Sequence, residues 1–244
     1  MFKKILLKKA SVIPLWLIVF TACSQPKTTQ QNQVYTQKTA DADGTGKVYY
    51  GREIATVMGT AGADWLERNN RNQEENTELA ISKIPVGANA AVADIGAGTG
   101  YYTFRLARKL PQGKVFAVDV QDEFIMYLNQ KKAELNQQNV QVVKGIETSV
   151  NLPQNTVDLA FMVDVYHELL YPQEVLQSLR KALKPGGKLL LLEYRAEDPA
   201  IEIKELHKMR VTQVNKEMAA NGFKLIDRKE FLPIQHFLLY QKID

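Results

Sequence analysis

Ala91-Val92-Ala93-Asp94-Ile95-Gly96-Ala97-Gly98-Thr99-Gly100 is the stretch on which the fold of this chain turns. Its first half is a short apolar run; its second half places glycine at every other position behind an acidic residue. Glycines there let the backbone turn tightly and let a ligand approach it closely. A helical pattern follows from about residue 101 to 110, so its first amides face the crevice above the strand. Downstream, residues 115–118, 140–143, 158–163 and 189–193 read as further strands. Helices are expected over about 123–136 and 173–183. Continuous apolar strands alternating with helices imply a parallel sheet covered on both faces. The fold class is therefore α/β, a doubly wound, Rossmann-like and mostly parallel sheet. Pro185-Gly186-Gly187 reads as a helix stop and turn. Two apolar segments, 224–231 and 237–241, flank Pro233 with no helix between them, which predicts a C-terminal antiparallel hairpin.

The glycine spacing discriminates between ligands. A dinucleotide fingerprint needs glycine three places after the second one, and Tyr101 stands there. Asp94 followed by Gly96, Gly98 and Gly100 instead resembles the first motif of the class I S-adenosylmethionine (SAM)-dependent methyltransferases. Further marks occur in the family's order. Asp119 closes the second strand, where a carboxylate can accept from ribose hydroxyls. Glu147 follows the third strand, near the family's adenine contacts. Asp158 opens the fourth, and residues 182–189, Ala-Leu-Lys-Pro-Gly-Gly-Lys-Leu, match the segment before the fifth. Trp65-Leu66-Glu67-Arg68 and Tyr166-His167-Glu168 extend the likeness to a bacterial methyltransferase-like subgroup over about residues 48–242. The resemblance implies SAM as cofactor, held by Asp94, Gly96, Gly98, Gly100, Asp119, Glu147 and Asp164.

Ligands of such folds bind beyond the carboxyl ends of the strands. Asp164, Tyr166, His167 and Glu168 follow strand four and are expected near the transferred methyl; Glu193, Tyr194 and Arg195 follow strand five. Methyl transfer from a sulfonium is an in-line displacement that mainly needs alignment. An oxygen or nitrogen acceptor must also lose a proton, and His167 is the expected general base, with Asp164 beside it. Trp65, Arg68 and Arg71 are read as parts of a helical lid over about residues 48–84. Tyr101 and Tyr102 are candidate pocket walls. The three histidines, His167, His207 and His236, with Glu168 or Glu193, lack any close spacing such as His-x-x-x-His, so no metal is expected.

The N-terminus has the anatomy of an export signal. Lys3, Lys4, Lys8 and Lys9 precede a mostly apolar run over 10–22, which is too short for a bilayer core of about 30 Å. Phe20-Thr21-Ala22-Cys23 resembles a bacterial lipobox, with Cys23 the lipidated residue. Residues 1–22 are thus read as signal peptide, 23–47 as a polar flexible tether and 48–244 as the catalytic domain. Cys23 is the only cysteine, which rules out a disulfide within one chain. The formal charge of +4 comes from the four leader lysines, since no acidic residue precedes Cys23. No basic stripe remains to suggest a nucleic-acid partner.

These readings predict an exported, membrane-anchored methyltransferase of a small-molecule acceptor, cytoplasmic if the signal is not processed. The acceptor itself is unreadable. Two rival readings are a non-catalytic SAM- or nucleoside-binding lipoprotein, favoured by SAM being made in the cytoplasm, and a nicotinamide oxidoreductase, disfavoured by the glycine spacing.

Overall fold

The computed structural model describes residues 34–243 together with Met1. Cys23 and the signal-like leader lie outside the described residues. No described helix is long and apolar enough to cross a membrane.

Three short strands, β1 (Tyr35–Gln37), β2 (Gly44–Tyr49) and β3 (Arg52–Ala55), form an antiparallel sheet. Three short helices follow: α1 (Ala63–Leu66), α2 (Arg71–Glu75) and α3 (Thr77–Lys83). The alternating part then runs β4 (Ala91–Ile95), α4 (Tyr101–Lys109), β5 (Lys114–Asp119), α5 (Asp122–Glu134), β6 (Val140–Lys144) and β7 (Val157–Val163). After a 3-10 turn at Tyr166–Glu168 come α6 (Pro172–Ala182) and β8 (Leu183–Tyr194). A second 3-10 turn, Glu205–His207, leads to α7 (Val211–Ala220), β9 (Phe223–Lys229) and β10 (Gln235–Lys242).

The large sheet has the order β6-β5-β4-β7-β8-β10-β9. Strands β6 to β8 are parallel, whereas β10 is antiparallel to both of its neighbours. The expected hairpin is present. Core residues on both sheet faces explain the continuous apolar strands. Val92, Ala117, Leu159 and Leu190 pack towards α4, while Ala93, Phe116, Ala160 and Leu191 pack towards α6 and α7. Helix α6 starts at Pro172, whose fixed φ suits a first helical position, and buries Val175, Leu176 and Leu179 on one face. The order reverses at β4, which has β5 on one side and β7 on the other, so a crevice opens at its carboxyl end.

Three expectations change. Gly186-Gly187 does not end an element but lies in an irregularity within β8. Val157 pairs with Leu183, and two residues later Leu159 pairs with Lys188. Gly186 sits at φ 68°, where a side chain is strained. Secondly, residues 34–47 are not an open tether, because Tyr35 pairs with Tyr49 and the two rings lie 5.2 Å apart. The Lys47 ammonium sits over the rings of Tyr35 and Tyr171, and Tyr35 donates a hydrogen bond to Glu174. Strand β1 therefore lies about a dozen residues ahead of the expected boundary. Thirdly, the segment expected to be a helical lid begins as strands β2 and β3, and only its second half is helical.

Candidate active site

The crevice at the carboxyl ends of β4, β5 and β7 is a cavity of about 650 Å³, within the range of small-molecule sites. Its floor is the glycine loop. Gly96, Gly98 and Gly100 have φ of 72°, 53° and 76°, the left-handed region that glycine adopts without strain. The amides of Gly96 and Ala97 both donate to the Val118 carbonyl, which fastens the loop to the next strand. A Cβ on Gly96 would stand 2.7 Å from both γ-carbons of Val165, so any side chain there would push into the loop after β7. Asp119 accepts from the Gly98 amide at 2.9 Å with Oδ2 and from the Gln121 amide at 2.9 Å with Oδ1. It therefore shapes the loop as well as facing the cavity. Burial raises its carboxyl above the ordinary value, against the backbone amides that lower it.

Asp94 lies behind the loop rather than in the cavity wall and accepts from Thr103 Oγ1 at 2.6 Å. Burial pushes its carboxyl up to about 7. Gly100 caps α4 and is likewise outside the wall. Glu147 lies exposed at the rim.

Asp164 lies half-buried in the wall at φ 54°, an uncommon conformation for a non-glycine residue. Its Oδ2 accepts from Gln235 Nε2 at 2.6 Å, while Oδ1 is buried without a hydrogen-bond partner. Burial, and then the carboxylates of Glu75 and Glu193, hold its carboxyl well above the usual range, against Arg71 and His167. A buried carboxyl with a free oxygen beside two other acids is short of a cationic partner.

Arg71 forms the adjoining wall. Its Nε bonds Glu75 at 3.0 Å and its Nη1 the Leu66 carbonyl at 2.8 Å, and Nη2 makes no hydrogen bond among the described residues. The guanidinium also stands 4.6 Å from the Tyr101 ring centroid and 5.6 Å from that of Tyr102. Those tyrosines pack beneath it and do not line the cavity. Arg68 is turned to Glu74 and Glu75 and stacks 3.8 Å from Trp65, which is about half exposed at the cavity rim.

The loop after β7 supplies His167 and Glu168 to the cavity, but Tyr166 points away and donates its hydroxyl to Glu217 at 2.7 Å. Glu193 is fully buried behind His167, 2.6 Å from its Nδ1. Burial opposes charge on His167, but Glu193 and then Glu168 outweigh it and raise the ring to about 10. That shift favours the protonated ring and so works against the general-base role expected of it. Arg195 leaves the site: it donates to the carbonyls of Leu232, Pro233 and Gln235. Glu75 and Gln235, which support Arg71 and Asp164, are residues that motif reading missed, while His207, weighed there only as a metal donor, lines the cavity. Glu75 had a local signal, standing four residues after Arg71 on one helical face; Gln235 had none.

The positively charged sulfonium and amino group of SAM suit the unsatisfied Asp164, and its carboxylate suits Arg71. The residues present therefore fit the cofactor that the fold implies.

This architecture is that of the class I SAM-dependent methyltransferases. Residues 93–189 match the family model for a methyltransferase domain. A SAM-dependent methyltransferase from Aquifex aeolicus superposes with a TM-score of 0.71 at 25% identity, over 77% of this chain and 100% of that one. Among curated proteins, the ubiquinone/menaquinone biosynthesis C-methyltransferase UbiE of Hahella chejuensis is 29% identical over 118 residues, 48% of this chain and 47% of that protein. The mitochondrial 2-methoxy-6-polyprenyl-1,4-benzoquinol methylase of Caenorhabditis elegans is 28% identical over 127 residues, 50% of this chain and 44% of that protein. The chain thus spans less than half the length of these curated relatives. The [4+2]-cyclase SpnF shares the fold at a TM-score of 0.59 and 16% identity. The chain thus has the fold of these methyltransferases, with the methyltransferase-domain match confined to residues 93–189.

Proposed function

We propose that the protein moves the methyl group of SAM to a small-molecule acceptor bound against the loop after β7. The observation that carries this reading is the crevice itself, a glycine-floored cavity with the unsatisfied Asp164 carboxyl in its wall. SAM supplies an electrophilic methyl on a sulfonium. The new bond forms to an acceptor lone pair as the carbon–sulfur bond breaks, and its electron pair stays on sulfur. The chain's contribution is alignment of acceptor and methyl in the crevice. Asp119 and the loop amides hold the nucleoside end, Asp164 and Arg71 the amino-acid end, and His167 and Glu168 face the acceptor. Asp119→Ala is expected to weaken SAM by about 1.5–3 kcal/mol, the value of a hydrogen bond to a charged group. Calorimetry with SAM and NAD in parallel tests the reading, and binding of NAD without SAM would sink it.

We further propose that the domain works on the outer side of a membrane, anchored by lipid on Cys23. The support is the cationic leader, its short apolar run and the single cysteine. One acyl chain binds a membrane only marginally, while several hold it stably. Cys23→Ser is expected to release the protein from membranes without altering the fold. Fractionation with intact-mass measurement decides it, and a soluble product retaining residues 1–22 refutes the anchor.

A further inference from the structure

Three side chains from two separate segments converge on one wall of the crevice. His167 and Glu168 follow β7, and His207 closes the later 3-10 turn. His167 Nε2 lies 3.1 Å from His207 Nδ1, His207 Nδ1 lies 3.3 Å from Glu168 Oε1, and Glu168 Oε1 lies 3.7 Å from His167 Nε2. Two imidazole nitrogens and one carboxylate oxygen are a donor set for zinc-type dications. A tetrahedral zinc ion with bonds of about 2.0–2.2 Å holds its donors about 3.3–3.6 Å apart. The three observed edges straddle that range, so an ion fits the triangle without backbone movement.

The surroundings orient two of the three donors. Glu193 Oε2 sits 2.6 Å from His167 Nδ1, while its Oε1 accepts from the Tyr166 amide at 2.8 Å. A carboxylate can only accept there, so Nδ1 carries the ring's hydrogen and Nε2 faces the triangle. This carboxylate–histidine pairing is the usual outer support of a metal-bound imidazole. The Met58 amide holds Glu168 Oε2 at 3.1 Å and leaves Oε1 aimed at both histidines. All three residues line the cavity, which leaves an ion's fourth position open to the crevice, as in catalytic rather than structural zinc sites.

We propose that His167, Glu168 and His207 form a mononuclear site for a zinc-type dication. Its open position takes an electron-pair donor of the methyl acceptor, such as a hydroxyl, thiol or carboxylate oxygen. The cation site stands on these residues alone, and only its acceptor-facing role rests on the methyl-transfer reading. Glu193 is a positioning residue. In Glu193→Gln an amide N–H would face Nδ1, the ring hydrogen would move to Nε2, and the donor lone pair would be lost.

The test uses the full chain, stripped with a chelator and titrated with Zn²⁺ by calorimetry and with Co²⁺ by visible absorption. One equivalent is expected, with the strong visible bands of tetrahedral cobalt. Glu193→Gln should weaken zinc about 10- to 100-fold, as changes of outer-shell partners do. His207→Ala, in a partly exposed turn, should weaken it further. His236→Ala should leave it unchanged, because His236 pairs with Glu197 outside the cluster. Absence of a stoichiometric site would overturn the proposal, as would zinc binding that survives both His207→Ala and Glu193→Gln, the result expected of zinc on Cys23. SAM titrated into the same samples separates the two ideas: loss of SAM binding with zinc retained counts against methyl transfer alone.

Discussion

Glu217→Ala is expected to cost about 3–5 kcal/mol of unfolding free energy, the cost of breaking a buried ion pair from one side. Glu217 is fully buried in α7 and takes both arms of Arg52, Nε at 2.9 Å and Nη2 at 3.0 Å. It also accepts from the Tyr166 hydroxyl at 2.7 Å and from Gln213 Nε2 at 2.7 Å. Truncation strands the Arg52 guanidinium and a buried phenol together. The third guanidinium arm, Nη1, reaches the His167 carbonyl at 3.0 Å, so this pair also ties β3 to the loop that faces the acceptor. Urea denaturation of the full chain measures the loss. Replacing both members by apolar residues, Arg52→Met with Glu217→Leu, should recover most of it, since no uncompensated charge is then left inside. A loss below about 1 kcal/mol, the range of exposed pairs, would show that the pair is solvated in solution.

Glu75→Ala should act on both stability and ligand binding. Glu75 is fully buried and joins Arg71 at 3.0 Å, Arg68 at 2.6 Å and the Tyr194 hydroxyl at 3.1 Å. Removing it leaves two guanidinium groups without their shared carboxylate, again a loss of about 3–5 kcal/mol. Burial works against charge on Arg71, and Glu75 is the largest influence holding that charge in place. Without it, the Arg71 fork loses its fixed direction into the cavity. SAM affinity should fall by about 1.5–3 kcal/mol, the value of the charged hydrogen bond lost at the ligand carboxylate. Glu217→Ala should leave SAM affinity nearly unchanged under conditions where the protein stays folded. Calorimetry on the two variants makes the comparison. Equal losses of SAM affinity in both would place Arg71 among the structural residues and remove it from the cofactor site.

What could be read directly from residue order was local. The period of apolar residues fixes strands and helices, and left-handed backbone at Gly96, Gly98 and Gly100 favours glycine. The doubly wound sheet, the terminal hairpin, the glycine floor and the position of Asp119 were therefore legible before any coordinates. The first strands were not. Polar residues and glycines at 34–47 look like a tether, and only pairing of β1 with β2, with Lys47 lodged between Tyr35 and Tyr171, gives them something to bury. Side-chain direction was equally hidden. Tyr166 and His167 are neighbours, yet one turns to Glu217 and the other to the crevice, because a 3-10 turn sends successive side chains to different sides. Arg195 follows strand five as expected but is drawn off by three backbone carbonyls. Histidine spacing pointed away from a metal, since His167 and His207 stand 40 residues apart. The return of the chain after β8 alone brings their nitrogens to 3.1 Å. Spacing reports ligands carried on one element, whereas donors on separate segments meet only through packing.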